Sequence, residues 1–261
     1  MDMNLTNKVV VVTGASKGIG LAVSQAFVAA GAHVVAGARH NGPELQALEA
    51  AGSATFVAAD LATPDGPRAL IAAAAERGGV DVLVNNAGAV ATRFGGILSV
   101  TDEQWDAALS VNFMSAVRTT REAIPQMLAR GGGAIVMIGS VNATLPEWNI
   151  VDYSAAKAAM ANYAKSLSKE FGPKGIRVNT VSPGPVSTDL WLADDGVAAQ
   201  FAASSGASPD DVVAAVSAGA PTGRFTTPQE VADLTVFLAS DRSGNTTGAD
   251  VRIDGGYVTT I

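Results

Sequence analysis

A tyrosine and a lysine stand four positions apart in the segment DYSAAKAAM, within a predicted helix. At that spacing Tyr153 and Lys157 share one helix face. A phenol has an ordinary pKa of about 10, and a neighbouring ammonium group favours the phenolate and lowers that pKa. Such a pair is suited to passing a proton to the alkoxide that forms when a carbonyl is reduced. A lone pair is weak evidence, because any amphipathic helix can carry one.

Two further polar residues occupy informative positions. Ser140 ends the strand-like run AIVMIGS, at the edge where parallel sheets bind ligands, and its hydroxyl is able to donate a hydrogen bond to a carbonyl oxygen. Asn112 lies in the middle of a predicted helix, where asparagine has a poor propensity. Each residue alone also has an ordinary explanation: a serine that closes a strand, or an asparagine that faces water. Together with Tyr153 and Lys157 they favour hydride transfer involving a carbonyl carbon.

The segment VVVVTGASKG places glycines directly after an apolar run. Gly14, Gly18 and Gly20 follow a predicted strand and open a predicted helix. Glycine at such a turn lets a phosphate approach the backbone and leaves amide groups free to bind it. The spacing differs from both the longer dinucleotide fingerprint and the Walker A loop. A plain tight turn is the alternative, and the strand–turn–helix context favours a dinucleotide site.

Two cations stand where many nucleotide-binding sheets carry an acid. In NAD-binding sheets an acidic residue at the end of the second strand binds the ribose 2′-hydroxyl. Here that strand ends in VVAGARH, with Arg39 and no acid, and Lys17 lies in the glycine loop. Two cations suit a 2′-phosphate, through charge-assisted hydrogen bonds. The sequence therefore predicts NADP (NADPH) rather than NAD as cofactor, with two solvated surface cations as the alternative.

The elements that must position these residues alternate along the whole chain. Apolar, β-rich runs predict strands near 8–13, 33–38, 55–59, 80–86, 133–139, 176–182 and 249–254. The segments between them predict helices near 18–30, 43–51, 64–77, 102–129, 152–172 and 228–239. Continuous apolar strands indicate a parallel sheet covered on both faces. The predicted fold class is α/β: a single doubly wound Rossmann-type domain over residues 1–261, with a seven-stranded parallel sheet and helices on both faces.

One long segment, about 185–227, interrupts the alternation. Ser208 has the character of an N-cap, Pro209 suits the first helical position, and a shorter helix is predicted over 195–204. At the carboxyl edge of a parallel sheet, an insertion of this length is where a substrate lid would lie. We therefore predict a helical lid.

Composition limits the function further. The chain has 261 residues, no cysteine and two histidines, His33 and His40. These counts exclude disulfides and cysteine nucleophiles, and they argue against a catalytic metal and a Ser-His-Asp triad. A net charge of −7 argues against nucleic-acid and anionic-membrane partners. No membrane-length apolar run and no apolar signal core are found, so a soluble, cytoplasmic protein is expected.

Taken together, these motifs resemble the short-chain dehydrogenase/reductase family. The resemblance covers essentially the whole chain and rests on TGASKGIG, NNAG at 85–88, Asn112, Ser140, YSAAK and PGPVST at 183–188. It implies that Tyr153 is the catalytic acid/base, and that Lys157 lowers its pKa and binds the nicotinamide ribose. Ser140 would orient the substrate carbonyl, and Asn112 would hold a water in a proton relay through Lys157. No catalytic position departs from the family pattern, which implies an active enzyme.

The resemblance also implies a cofactor site. Thr188 would contact the nicotinamide carboxamide, Asp60 would hydrogen-bond the adenine, and Asn86 would line the adenosine side. The implied cofactor-binding set is Gly14, Ser16, Lys17, Gly18, Ile19, Gly20, Arg39, Asp60, Leu61, Asn86, Ala87, Gly88, Tyr153, Lys157, Pro183, Gly184, Val186 and Thr188. Standard-length members of the family are usually homotetramers, so a homotetramer is expected.

The substrate is less well defined by the sequence. Apolar and aromatic residues in the segments expected to line the pocket are Phe94, Leu145, Trp148, Trp191, Leu192 and Phe201, the last interpreted mainly as packing of lid on body. Five aspartates in the lid, with no cation before Arg224, disfavour anionic substrates, although Arg93 could anchor one carboxylate. The leading hypothesis is an NADP(H)-dependent oxidoreductase acting on the carbonyl or secondary alcohol of a mainly apolar, uncharged small molecule.

Other functions remain open. The chain could be a 3-oxoacyl-(acyl-carrier-protein) reductase, but Arg130, Lys169 and Lys174 offer only a thin basic patch to an acidic carrier protein. It could be an NADP-binding regulator, although a sensor needs no proton relay. It could perform non-redox lyase or dehalogenase chemistry, although such relatives give up the glycine loop.

Overall fold

Parallel strands form one continuous sheet at the centre of the protein. The structure is a computed structural model and describes residues 3–260. Its strands are β1 (Val9–Thr13), β2 (His33–Ala38), β3 (Ala54–Ala58), β4 (Val82–Asn85), β5 (Gly133–Ile138), β6 (Ile176–Pro183) and β7 (Asp250–Ile253). Within the described residues the order is β3-β2-β1-β4-β5-β6-β7, and each pair is parallel. This order reverses direction between β1 and β4, which confirms the predicted doubly wound sheet. Residues 1, 2 and 261 of the predicted domain lie outside the described residues.

Helices cover both faces of the sheet. They are α1 (Gly18–Ala29), α2 (Pro43–Ala50), α3 (Asp65–Glu76), α4 (Asp102–Leu109), α5 (Ser115–Ala129), α6 (Val151–Phe171), α7 (Asp189–Leu192), α8 (Val197–Ser205), α9 (Pro209–Ala218) and α10 (Pro228–Ala239). Helices α1 and α10 pack on one face, and α3, α5 and α6 pack on the other. The α/β fold class predicted from the sequence is therefore confirmed.

The strands are apolar at every position because both of their faces are buried. In β1, Val10 and Val12 belong to the core under α1 and α10, whereas Val9 and Val11 belong to the core under α3, α5 and α6. These valines are 5% exposed or less. Burial on alternate faces explains why a continuous apolar run, rather than an alternating one, predicts this kind of strand.

The predicted helix over 102–129 is not one continuous α-helix. A π-helical turn, Ser110–Met114, separates α4 from α5. Within that turn, Asn112 Nδ2 donates to the Ala108 carbonyl at 3.0 Å and to the Ala89 carbonyl at 2.9 Å. The Ala108 carbonyl is the group that the backbone N–H of residue 112 would use in an α-helix, so the side chain competes with the regular ladder.

The segment 185–227 is helical, as predicted. Helix α8 lies close to the range predicted for a shorter helix, and a single short turn, α7, precedes it. Helix α9 begins with the predicted cap: Ser208 Oγ accepts from the backbone N of Asp211 at 3.1 Å, and Pro209 is its first residue. A bridge between Val186 and Thr226 brings the two ends of the segment together. The segment thus forms one excursion from the carboxyl edge of the sheet.

Candidate active site

A cleft of about 270 Å³ opens at the carboxyl edge of the sheet. Because all strands are parallel, the loop after β1, Ser140 after β5 and the end of β6 meet at this edge. Ser140, Tyr153 and Thr188 line the cleft, together with Trp191 and Phe201 from the lid segment. The structure therefore brings together groups that are far apart in the sequence.

The glycine loop after β1 has a shape that only glycine allows. Gly14 and Gly18 have φ values of +66° and +54°, in the left-handed region. A Cβ on Gly20 would lie 2.1 Å from the Gly14 carbonyl oxygen, which no side chain permits. Helix α1 begins here without a side-chain cap and without an acidic residue in its first turn. These features leave backbone amides and a positive helix end available to a phosphate, so the residues fit a dinucleotide.

Side chains at the ends of β1 and of the neighbouring strand β4 hold this loop in place. Thr13 Oγ1 accepts from the backbone N of Asn86 at 2.8 Å and of Ala87 at 2.9 Å. Asn86 Nδ2 donates in return to the carbonyls of Thr13 at 2.9 Å and Gly14 at 3.1 Å. Sequence reasoning missed Thr13, although a polar residue that ends an apolar strand was an available signal. Asn86, predicted to line the adenosine side, directs its amide donors at the loop backbone.

Lys17 and Arg39 lie at the same edge and are both exposed. The loop that carries Lys17 is tied to β2, since Gly14 N donates to the Gly37 carbonyl at 2.8 Å. Neither side chain forms a hydrogen bond or an ion pair within residues 3–260. The first acidic residue after β2 is Glu44, in the first turn of α2. Two unpaired cations therefore lie beside a phosphate-binding turn.

The other predicted cofactor residues surround the same edge. Asp60 follows β3 and is exposed, with Oδ1 accepting from Ala62 N at 3.0 Å, while Leu61 beside it is buried. Ser16 lies in the glycine loop. Thr188 is next to that loop, since its Cγ2 would lie 3.4 Å from a Cβ on Gly18. Further lining of the cleft comes from Ile19, Pro183, Gly184 and Val186.

Lys157 is buried and firmly held. Its side chain is 3% exposed, and Nζ donates to the carbonyl of Ile138, the last residue of β5, at 2.8 Å. Burial lowers the pKa of Lys157 to about 8. Nζ lies 5.7 Å from the centroid of the Tyr153 ring. The lysine therefore links α6 to the end of β5, the strand that precedes Ser140.

The surroundings of Tyr153 differ from the sequence-based expectation. Burial raises the pKa of the phenol, and hydrogen bonding with Ser140 acts in the opposite direction without overcoming it. The predicted lowering by Lys157 is not found: the ammonium group donates to the Ile138 carbonyl, and burial is the larger influence on the phenol. The surroundings of Tyr153 therefore disfavour the phenolate in this structure.

Ser140 begins the turn that follows β5. Its Oγ accepts from Asn142 N and donates to Asn142 Oδ1, both at 3.1 Å. These bonds fix the hydroxyl on the cleft wall, where Tyr153 also lies. The predicted meeting of Ser140 and Tyr153 is thus present in the structure.

Asn112 lies in the π-helical turn and is 1% exposed. Its Oδ1 accepts from the backbone N of Ala89 at 3.0 Å. A Cβ on Gly88 would lie 3.0 Å from Asn112 Oδ1 and 3.5 Å from Lys157 Nζ, so these two side chains approach each other across Gly88. The structure therefore brings Asn112 to Lys157, and its role in holding a water stays a prediction.

Arg93 does not have the role that the sequence suggested. Its Nε and Nη2 donate to Asp152 Oδ2 at 3.0 and 2.7 Å, and the two side chains are 16% and 2% exposed. Asp152 Oδ1 also accepts from the backbone N of Tyr153 at 3.0 Å. Arg93 is therefore engaged in a buried ion pair with the first turn of α6 and is not free to anchor a substrate carboxylate.

The aromatic residues of the lid form two edge-to-face pairs. Phe94 packs on Phe201, and Trp191 packs on Phe225, each at 5.3 Å between ring centroids. Phe201 thus packs on the body, as interpreted from the sequence, and also lines the cleft. The predicted pocket residues Phe94, Leu145, Trp148 and Leu192 lie outside the cleft wall and are exposed.

The thin basic patch of Arg130, Lys169 and Lys174 is reduced further, because Arg130 forms an ion pair with Asp81. Arg130 donates to both carboxylate oxygens of Asp81, at 2.8 and 3.0 Å, and to the Gly78 carbonyl. Lys174 Nζ lies 4.7 Å from the centroid of the Phe171 ring. Arg130 is therefore engaged within the chain, whereas Lys169 and Lys174 are exposed.

The chain is similar to known proteins over nearly its whole length. A family model described as enoyl-(acyl carrier protein) reductase matches residues 14–258. The D-threitol dehydrogenase of Mycolicibacterium smegmatis is 37% identical over 98% of this chain and 95% of its own. The 3-oxoacyl-(acyl-carrier-protein) reductase of Escherichia coli is 33% identical over 97% of this chain and 98% of its own.

A solved structure is also similar over the full length. It is that of L-sorbose reductase from Gluconobacter frateurii complexed with NADPH and L-sorbose, with 36% identity, a TM-score of 0.91 and complete coverage of both chains. Among residues 3–260, no helix is both long and apolar enough to cross a membrane.

Proposed function

Since the chain belongs to the short-chain dehydrogenase/reductase family and is an oxidoreductase of that family, we propose that it is an NADP(H)-dependent enzyme for small, uncharged, polyhydroxylated carbonyl compounds and their alcohols. The observation that carries the proposal is the meeting of Ser140 and Tyr153 beside the glycine loop on the wall of one cleft that also carries polar side chains, with Lys157 buried next to Tyr153.

The proton chemistry belongs to Tyr153. In reduction, the phenol donates its proton to the carbonyl oxygen as the carbonyl carbon gains a hydride, and the product is an alcohol. A phenol is protonated at neutral pH with its ordinary pKa as well as with a raised one, so Tyr153 carries the proton that the acid role requires. In oxidation, the phenolate accepts the alcohol proton.

Ser140 and Lys157 support that transfer. The Ser140 hydroxyl, whose hydrogen is donated to Asn142 Oδ1 in this structure, would turn that hydrogen toward the oxygen on which negative charge develops. Lys157, fixed by the Ile138 carbonyl, provides a positive charge near the phenol whenever it is protonated. Asn112 fixes the backbone of Ala89 next to this pair.

The cofactor would be held by residues already placed at the sheet edge. The glycine loop and the start of α1 would bind its phosphates, and Lys17 and Arg39 would bind the 2′-phosphate. Asp60 would bind the adenine, and Thr188 would bind the carboxamide. The bound nicotinamide supplies the hydride in reduction and takes it up in oxidation.

The substrate class combines two observations. The acidic lid and the pairing of Arg93 with Asp152 leave little to bind an anion, which supports the uncharged substrate expected from the sequence. The cleft wall is largely apolar but also carries Asn142, Glu147, Asn149 and Tyr257, which is unlike a purely apolar pocket. Similarity to D-threitol dehydrogenase and L-sorbose reductase, both named for polyhydroxylated substrates, supports the same class.

The test of cofactor choice is a fluorescence titration of the purified protein with NADPH and with NADH. We expect a preference for NADPH of about tenfold or more, and a loss of about tenfold in NADPH affinity alone for Lys17→Ala or Arg39→Ala. Arg121→Ala, at an exposed position on α5, is the matched control. Equal affinity for both cofactors would overturn the NADP assignment.

A 3-oxoacyl-(acyl-carrier-protein) reductase is the second candidate, because relatives of that name are 33% identical over nearly the full length. The engagement of Arg130 by Asp81 weighs against it, since a carrier protein is acidic. Comparing turnover of a 3-oxoacyl carrier-protein thioester with that of a small ketose separates the two candidates. The homotetrameric state and the cytoplasmic location remain predictions from the family and the sequence.

A further inference from the structure

Three polar side chains on the cleft wall have no role in the proton chemistry. They are Glu147 and Asn149, in the segment before α6, and Tyr257, close to the carboxyl end. None of the three side chains has a hydrogen-bond partner in the part of the chain that the structure describes. Polar groups that face a ligand cleft and lack protein partners are candidates for binding the ligand.

Asn149 is the strongest of the three. It is 4% exposed, and its Oδ1 is fully buried without a partner. Its backbone carbonyl accepts from Arg93 N at 2.6 Å, and Arg93 is itself fixed by Asp152. The residue is therefore rigidly placed four positions before Tyr153, with a side-chain amide that nothing in the protein satisfies. Buried amides without partners are few in native proteins and call for an explanation.

Glu147 and Tyr257 come from separate segments and approach each other at the cleft. The Glu147 carboxylate contributes, together with burial, to raising the pKa of Tyr257. Tyr257 is held in a turn, because its backbone N donates to the Asp254 carbonyl at 3.1 Å. Its ring lies beside Gly219, where an added Cβ would be 3.0 Å from Cε2. A carboxylate and a phenol are thus held at one wall by independent elements.

The chemistry of these groups selects one kind of ligand. A carboxylate and an amide oxygen accept hydrogen bonds, and a hydroxyl group on the substrate donates them. A carboxylate or phosphate on the substrate would instead be repelled by Glu147. Asn142 is not part of this set, since its side chain is already bonded to Ser140 and to the Leu145 carbonyl.

We propose that Glu147, Asn149 and Tyr257 form a subsite that binds the hydroxyl groups of the substrate away from the reacting carbonyl. This inference rests on the proposed function and assigns the recognition of a polyhydroxylated substrate to named residues. A site built to hydrogen-bond a hydroxyl discriminates strongly against an analogue that lacks it, because its buried polar groups are then left unpaired.

The experiment compares ketohexoses with a ketone that lacks hydroxyl groups, in the wild-type protein and in single variants. NADPH-dependent reduction is measured with a panel of ketohexoses and with 2-hexanone, which has the same chain length and no hydroxyl group. Glu147→Gln and Asn149→Leu are expected to lower kcat/KM for the best ketohexose by about 10- to 100-fold, mainly through KM, and to change the value for 2-hexanone less than about threefold. Glu76→Gln, at an exposed position at the end of α3, is the control and is expected to change neither.

A conservative variant separates recognition from packing. Asn149→Asp keeps an acceptor oxygen at the same place, so it should retain more ketohexose activity than Asn149→Leu. Equal losses on both substrates, or no loss on either, would overturn the subsite. The wild-type protein tests the proposed function separately: a preference for 2-hexanone over every ketohexose would overturn the substrate class, whatever the variants do.

Discussion

The two sides of the proposed active-site cleft are built in different ways. On the cofactor side, the shape comes from backbone: Gly14 and Gly18 in left-handed conformations and Gly20 against a carbonyl. On the substrate side, the shape comes from side chains that distant segments contribute, such as Asn149, Trp191 and Tyr257. A backbone-built site leaves its signature in one short stretch of sequence. A side-chain-built site has no such signature, because its members meet only through the fold.

The largest expected effect is that of removing the Tyr153 hydroxyl. Tyr153→Phe removes the proton donor, and we expect kcat to fall by about 10²- to 10⁴-fold while NADPH binding is retained. Steady-state kinetics and a cofactor titration measure the two quantities. Tyr163→Phe, further along α6 and packed on Phe113, is the matched control. Near-normal turnover by Tyr153→Phe would contradict the assigned mechanism.

A substitution on the substrate side should act on stability. Arg93→Ala leaves the Asp152 carboxylate, 2% exposed, without its ion-pair partner. We expect the free energy of unfolding to fall by about 3 kcal/mol, the lower end for breaking a buried pair. Urea denaturation measures it. Arg68→Ala breaks the exposed pair with Asp65 and should cost less than about 0.5 kcal/mol. Similar losses in both variants would mean that the Arg93 pair contributes no more than a surface contact.

A substitution on the cofactor side should act on binding. In Gly20→Ala, the added Cβ would lie 2.1 Å from the Gly14 carbonyl, so the loop must move. We expect NADPH affinity to fall by about tenfold, with an equal loss for NADH, since the phosphates common to both are affected. Gly172→Ala is the control, because a Cβ there meets nothing within 4 Å. Unchanged affinity in Gly20→Ala would show that the loop tolerates a different shape.

The smallest expected effect is a gain in stability. Burial lowers the pKa of Lys157 from an ordinary 10.5 to about 8. Between these values the unfolded chain binds more protons, so this contribution to stability rises with pH over that window and is most unfavourable below it. Lys157→Met removes the buried charge. It should stabilise the protein by about 1–2 kcal/mol at pH 7, after the loss of the bond to Ile138, while activity is lost.

Thermal unfolding of Lys157→Met and wild type at pH 7 and pH 10 measures this difference. The advantage of the variant should shrink at pH 10, where the wild-type lysine is largely neutral in the folded state. An advantage that stays constant with pH would mean that the charge of Lys157 is not its cause.

The sequence predicted the fold and the polar edge of the sheet well, for a physical reason. Strands buried on both faces must be apolar throughout, and loops that approach a phosphate must contain glycine. Both requirements act on neighbouring residues, so they can be seen in β1 and in the loop that follows it. The start of α9, with Ser208 as N-cap and Pro209 as the first helical residue, was predictable for the same reason, because it depends on neighbouring residues.

The parts that the sequence did not predict all depend on long-range contacts. The pairing of Arg93 with Asp152 joins residues 59 positions apart, and the brace from Thr13 to Asn86 joins residues 73 positions apart. The raised pKa of Tyr153 depends on burial, which spacing along a helix does not reveal. The π-helical turn at Asn112 depends on the Ala89 backbone, which another loop delivers.

The closeness of Thr188 to Gly18 has a consequence for the order of events during turnover. The first residue before α7 lies against the first residue of α1, so the lid begins where the phosphate-binding turn ends. A dinucleotide bound at that turn would be covered by a substrate bound in the cleft in front of it. Product-inhibition kinetics should therefore follow a compulsory sequence, in which the dinucleotide enters first and departs last.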